Sequence, residues 1–260
     1  MRAMRLISGC LQFAEGDDTA PMEMLAVVFG ASAVAGVVQS VTGFGAGIVM
    51  MLFFPLLMPV LNASALSGAI SMTLAFSMAW KLREKIRWRL LVLPGLFFAA
   101  ASALSLAFAD LFDTTVLLRV FGVVLLILSA YFLIFAGKLK VKASLGTAAV
   151  CATLSGVVGG LFGIGGPPMV VYYLAALDDL DEYRATIQAF FGMTNIFTFA
   201  MRLMKGLYTA EMLLPTGAGI AAILLGMAVG VRLYSKINSE AVRKLVYAFL
   251  GVTGIINLLK

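Results

Sequence analysis

The chain contains no histidine and only two cysteines, Cys10 and Cys151. This composition excludes the usual zinc, haem and imidazole-dependent catalytic sites, because each depends on imidazole or thiolate groups. We therefore expect no metal site and no cofactor. Cys151 lies in an apolar stretch and is interpreted as a small packing residue, and a disulfide between the two cysteines has no support.

Charged residues are also scarce. They make up 12% of the 260 residues, against 62% hydrophobic residues, and the mean hydropathy is +1.04. Residues 24 to 80 contain no Asp, Glu, Lys or Arg at all. Since a membrane span needs about 20 apolar residues, this run alone holds more than two spans. The composition is that of an all-α polytopic membrane protein and is far from that of a soluble domain.

The net charge of +6 does not indicate a nucleic-acid partner. The basic residues lie beside hydrophobic stretches, where they report the orientation of the spans and contact anionic lipids. The partner that they indicate is the lipid bilayer. Residues 1–22 combine basic and acidic residues around a broken apolar segment, which is not typical of a cleavable signal. We interpret them as an N-terminal extension that is mobile or lies on the membrane surface.

A glycine-rich segment interrupts the longest uncharged stretch of the second half. Gly163, Gly165 and Gly166 are followed there by Pro167 and Pro168. Glycine weakens a helix, whereas proline is well tolerated at the first positions of one. The pattern predicts a helix that ends near Gly163, a short glycine loop and a new helix that begins at the prolines. The free N–H groups and the positive dipole end of such a helix start can bind an anion.

The same pattern occurs in the first half of the chain. Residues 36–47 superpose on residues 156–167 at an offset of 120, so that Gly43 and Gly45 fall on Gly163 and Gly165. This similarity indicates an internal duplication with one glycine break in each half. We predict a first repeat over residues 23–140 and a second over residues 141–260.

Each repeat is predicted to contain a broken helical hairpin and three transmembrane helices, which gives 8 to 10 membrane segments. The hairpins are expected at residues 24–60 and 144–177. The spans are expected at residues 63–80, 90–109 and 115–137 in the first repeat, and at 185–203, 211–231 and 241–259 in the second.

The loop charges indicate that the two repeats are inverted. The loop at 81–89 is strongly basic, whereas the corresponding loop of the second half, near 202–211, is much less so. The second basic cluster, from Arg232 to Lys244, occurs one loop later. Only an inverted repeat places both basic clusters in the cytoplasm, as the positive-inside rule requires. The acidic residues near Asp179 then also lie on the cytoplasmic side.

The candidate substrate-binding residues lie at the two breaks and on one face of the predicted span 185–203. They are Gln39, Thr42, Gly43, Phe44, Gly45, Gly163, Gly165, Gly166, Pro167, Pro168, Gln188 and Asn195. The glycines supply backbone freedom and amide donors, and the amide side chains are candidate selectivity donors. The alternative is that the glycines, the amides and the stripe Ser64, Ser67 and Ser71 only join helices. Arg119, Arg184 and Arg202 are interpreted as headgroup anchors at the span ends.

The segments Gly43–Gly47 and Gly159–Pro168 carry a resemblance to the TauE/SafE sulfite exporter family, also described as toluene-sulfonate uptake permease-like proteins. The resemblance covers roughly residues 24 to 259. It implies transport of sulfite, sulfoacetate or other small organic anions across the bacterial inner membrane. The first segment departs from the family pattern, since Ala46 interrupts the glycine run and no proline follows Gly47.

Three functions remain open from the sequence. The first is a secondary transporter or facilitator that exports a small sulfur-containing oxyanion by alternating access. The second is sodium- or proton-coupled uptake of a small organic acid, and the third is a membrane assembly or interaction factor. A coupling ion and a homodimer are compatible with the first two. An enzyme is not expected, because the catalytic groups are missing.

Overall fold

The computed structural model describes residues 19–135, 142–233 and 239–259. Within these ranges the chain forms ten α-helices and no strand. The helices are α1 Thr19–Thr42, α2 Ala46–Phe53, α3 Val60–Lys81, α4 Arg89–Ala109, α5 Thr114–Phe135, α6 Leu145–Phe162, α7 Gly166–Ala176, α8 Leu180–Met204, α9 Leu213–Leu233 and α10 Ser239–Leu259. Short 3₁₀ turns lie at Phe54–Leu56, Arg83–Lys85 and Ala210–Met212.

The expected spans agree with these helices to within a few residues, and the expected hairpins correspond to α1–α2 and α6–α7. Helix α1 begins at Thr19, slightly inside the expected N-terminal extension. Residues 1–18, with Cys10, lie outside the described residues, as does Lys236 of the second basic cluster.

Six helices of the described residues are long and apolar enough to cross a membrane. They are Met22–Thr42, Val60–Lys81, Arg89–Ala109, Thr114–Tyr131, Leu145–Phe162 and Ala210–Arg232. Two shorter apolar helices, Ala46–Leu56 and Ala248–Leu259, accompany them. Helix α8 has 25 residues but is absent from this group, because polar side chains lower its hydropathy. The chain is therefore a multi-pass, all-helical membrane protein.

The main helix contacts join the two halves of the sequence. Helix α1 packs along α9, α4 along α6, α3 along α8 and α5 along α10. Glycines permit the first two contacts. A Cβ at Gly36 would lie 2.2 Å from the Ile223 carbonyl oxygen on α9, and one at Gly156 would lie 2.6 Å from the Phe98 carbonyl oxygen on α4. At these two equivalent positions, glycine therefore serves close helix packing.

Ion pairs tie loops together at both ends of the bundle. At the start of α4, Lys85 Nζ lies 3.1 Å from Asp181 Oδ2, and Arg87 pairs with Glu182. At the far end of α4, Lys205 pairs with Asp110. The loop before α4 and the loop before α8 therefore share one end of the molecule, while the loops that follow these two helices share the other.

Candidate functional site

The first break lies between α1 and α2, as the sequence predicts. Gly43 has a φ of +85° and Gly45 a φ of +104°, values that are favourable only for glycine. The hydroxyl of Thr42 lies 2.8 Å from the Val38 carbonyl oxygen and 2.6 Å from that of Phe44. These contacts hold the turn, so that α2 can begin at Ala46.

The second break has the predicted form. Helix α6 ends at Phe162, Gly163 follows with a φ of +70°, and α7 begins at Gly166 with Pro167 and Pro168 in its first turn. Proline has no N–H, so Gly165 and Gly166 carry the amide donors at this helix start.

The two breaks meet inside the protein. A Cβ at Gly47, in the first turn of α2, would lie only 2.7 Å from the Gly163 carbonyl oxygen at the end of α6. A cavity lies between the breaks, and α3, α4 and α8 supply the rest of its wall. Eight of the predicted site residues line it, namely Gln39, Phe44, Gly45, Gly163, Gly165, Gly166, Pro167 and Asn195.

The other four predicted residues, Thr42, Gly43, Pro168 and Gln188, are not part of this wall. Gln188 is fully buried on α8, and its Nε2 donates a hydrogen bond to the Gly43 carbonyl oxygen at 2.8 Å. Its Oε1 accepts a hydrogen bond from Gln39 Nε2 at 3.0 Å. Gln39 Oε1 in turn accepts the Ala46 N–H at 3.0 Å. The two amides thus hold the first break in shape and attach it to α8.

The family model described as Sulfite exporter TauE/SafE matches residues 28–256, which include both breaks and every helix that forms the cavity. The chain belongs to the TauE/SafE sulfite exporter family. Membership identifies it as a protein of membrane transport and places it in the bacterial inner membrane. The chain matches no curated protein and no solved structure.

The wall of the cavity in this TauE/SafE protein also contains residues that were not among the predicted site residues. Thr194 and Thr198 line it from α8, one helical turn apart. Phe98 and Phe190 form an apolar part of the wall, with their ring centroids 5.6 Å apart in an edge-to-face arrangement. The two threonines were detectable, because they lie four residues apart on a predicted span, and Thr194 is next to Asn195. The aromatic contact joins two helices that are distant in sequence and gave no local signal.

Arg202 requires a correction. It was expected to anchor the protein at the headgroups, but its side chain is fully buried. Its Nη2 donates to the carbonyl oxygens of Gly159 at 2.7 Å and Gly160 at 2.8 Å, in the last turn of α6. Arg119, by contrast, is exposed. The sequence contained a signal that Arg202 faces inward. It follows Asn195 by seven residues, so it lies two turns further along the same face of α8.

Proposed function

We propose that this protein is a secondary transporter or facilitator that exports a small sulfur-containing oxyanion, such as sulfite or an organosulfonate, across the inner membrane by alternating access. The observation that carries this proposal is the meeting of both glycine breaks at one internal cavity. Discontinuous helices of this kind form the binding sites of many transporters. Family membership supplies the anion class.

The composition of the cavity wall favours a mechanism in which export is not coupled to a proton. None of the described residues that line it is acidic, so the wall contains no carboxylate to carry a proton. An anion that leaves a cell with a negative interior gains about 2.3 kcal/mol per charge per 100 mV. Export therefore needs no coupling ion, whereas uptake against this potential needs one.

Alternating access fits a protein built from inverted repeats, which we propose for residues 23–140 and 141–260. One observation supports the inversion, and a second supports the duplication. The ion pairs of Lys85 and Arg87 bring the basic loop before α4 to the acidic loop before α8, and Lys205 joins Asp110 at the other end. A repeat without inversion would separate the members of these pairs. The contact of α1 with α9 and the contact of α6 with α4 involve equivalent helices of the two halves, which supports the duplication.

The proposal is tested with purified protein in liposomes. Vesicles loaded with sulfite, methanesulfonate or sulfoacetate are given a potassium diffusion potential that is negative inside, and the anion released is measured against protein-free vesicles. We expect release that increases with the potential and needs no sodium or pH gradient. Absence of release for sulfite, methanesulfonate and sulfoacetate would contradict the proposal, and strict dependence on an ion gradient would indicate coupled uptake instead.

A further inference from the structure

The helix ends around the cavity carry opposite partial charges. Helices α1 and α6 end at the breaks, and α2 and α7 begin there. A helix C-terminus presents unpaired carbonyl groups and a partial negative charge, whereas an N-terminus presents N–H groups and a partial positive charge. Two ends of each kind meet at one place, so their effects on an anion offset each other. The helix ends alone therefore do not make the cavity selective for anions.

Helix α8 contacts the C-terminal ends of both α1 and α6, which carry the partial negative charges. Near its start, the neutral amide of Gln188 donates to the Gly43 carbonyl oxygen after the end of α1. About four turns later, the guanidinium group of Arg202 donates to the carbonyl oxygens of Gly159 and Gly160 at the end of α6. The first contact is neutral, but the second brings a full positive charge to the end of α6. The two halves of the site therefore differ in charge.

Small residues make room for the guanidinium group. A Cβ at Gly68 on α3 would lie 3.1 Å from Arg202 Nη1. At the 120-residue offset of the repeat, Gly68 corresponds to Gln188 and Gly159 corresponds to Gln39. At the second break, glycines from the two halves thus replace both members of the amide pair, and the guanidinium group lies against these two glycines.

The positive charge of Arg202 has no protein counter-ion in the part of the chain that the structure describes. The ion pairs found there involve other residues, and the Nε of Arg202 is buried without a hydrogen-bond partner. A buried charge is costly unless an opposite charge compensates it. The nearest contact of the guanidinium group is the carbonyl oxygen of Gly159, a residue that lines the cavity.

The geometry points to Arg202 as the residue that makes this cavity selective for anions: its charge acts across the backbone of Gly159, and a small oxyanion in the cavity is its counter-ion. This inference rests on the proposed function, because it assigns the selectivity of the same site. At short range in a protein interior the charge is only weakly screened, so contact with the anion is not required.

The first test compares Arg202→Gln with Arg202→Lys, which keeps the charge. Binding of methanesulfonate and of the neutral, similarly sized methanesulfonamide is measured by calorimetry on monodisperse protein in detergent. We expect the wild type to prefer the anion, Arg202→Gln to bind it about 30-fold more weakly or worse, and Arg202→Lys to retain most of the preference. If Arg202 had only a structural role, the substitution would weaken the binding of both ligands by the same factor. An unchanged preference for the anion in Arg202→Gln therefore overturns the inference.

A second variant keeps Arg202 and places a negative charge in the cavity wall. Ser71 lines the cavity from α3, one turn beyond Gly68. Ser71→Asp should remove the anion preference, whereas the matched control Ser71→Asn should keep it. If Arg202→Gln fails to fold, retention of the preference in Ser71→Asp still contradicts the inference.

The binding and flux experiments separate the two proposals. A wild type that binds methanesulfonate through Arg202 but releases no anion from vesicles overturns the transport proposal alone. A wild type that exports the anion while Arg202→Gln exports it with an unchanged KM and unchanged preference overturns the assignment of Arg202 alone. A wild type that neither binds nor moves an anion overturns both.

Discussion

At Gly47 the two halves of the site touch through their backbones. The Gly163 carbonyl oxygen lies 2.7 Å from the position of a Cβ at residue 47, and a backbone atom cannot rotate away as a side chain can. We expect Gly47→Ala to push the breaks apart, to destabilise the protein by about 1 to 3 kcal/mol and to reduce anion flux. Thermal unfolding in detergent and vesicle release measure the two effects.

The matched control for this substitution is Gly30→Ala on α1. Nothing lies within 4 Å of a Cβ at Gly30, and alanine is a better helix former than glycine. The control should therefore keep the stability and flux of the wild type. Equal unfolding temperatures for the two variants would show that the breaks do not pack closely at Gly47.

Individual residues differed in how far the sequence could predict them. The glycines with positive φ at the two breaks were predictable, because glycine followed by a helix start is a local pattern. The pairing of Gln39 with Gln188 was not, since their bond joins residues 149 positions apart. Gly165 shows a further limit. It lines the cavity, but a Cβ there would also lie 2.3 Å from the Ser155 carbonyl oxygen, so close packing alone already requires glycine at this position.

Helix α8 is the element whose importance was least visible in the sequence. Its position was predicted to within five residues at its start, because it is long and mostly apolar. Its role was predicted only in part: Gln188 and Asn195 were candidate selectivity donors, but the contacts of Gln188 and Arg202 with the two breaks were not predicted. Arg202 near its end was interpreted as a headgroup anchor from its position at a span end, and its hydrogen bonds to α6 show that the side chain turns inward.

The start of α8 depends on Asp179. Its carboxylate accepts the backbone N–H of Asp181 at 2.7 Å and that of Glu182 at 3.1 Å. These bonds, with a smaller contribution from the charges of Lys85 and Arg87, hold the pKa of Asp179 below its ordinary value of 3.8. A carboxyl group with a lowered pKa stabilises the folded state at higher pH, and this stabilisation is lost as the pH falls through the lowered value.

Comparison of wild type with Asp179→Asn tests this contribution. Asparagine is also a good helix cap, but it has no charge to lose. We expect the wild type to unfold at a higher temperature than Asp179→Asn at pH 7, and this difference to fade below about pH 4. Asp179→Ala should be less stable than Asp179→Asn at both pH values. A difference between wild type and Asp179→Asn that does not change with pH would contradict the assignment.

In the molecule as a whole, the main helix contacts join one half of the sequence to the other. The alternation of apolar runs and charged loops predicted the number and placement of the helices, because span length and charge exclusion are properties of the bilayer. Which helices pack together was not predicted, since that depends on contacts such as Gly36 against α9. The inverted orientation of the repeats stays a prediction. It is supported by the loop charges and by the ion pairs at the two ends of the bundle.

Labelling of single cysteines tests the inversion. With both native cysteines replaced by serine, cysteine is placed at Glu84 or Asp178 near one end of the bundle, and at Asp113 or Glu211 near the other. We expect a membrane-impermeant maleimide to label positions 84 and 178 only from the cytoplasmic face, and 113 and 211 only from the outer face. Labelling of positions 84 and 211 from the same face would show that the repeats are parallel.

The cavity between the breaks is tested most directly by a single cysteine at Asn195, in the same background. Asn195 lines the cavity, whereas the next residue on α8, Ile196, is exposed on the outer surface. A negatively charged thiol reagent should block anion flux through Asn195→Cys, and methanesulfonate should slow this block. The same treatment should leave flux through Ile196→Cys unchanged. If the modified Asn195→Cys protein carried the anion at the rate of the unmodified one, the anion would not pass through this cavity.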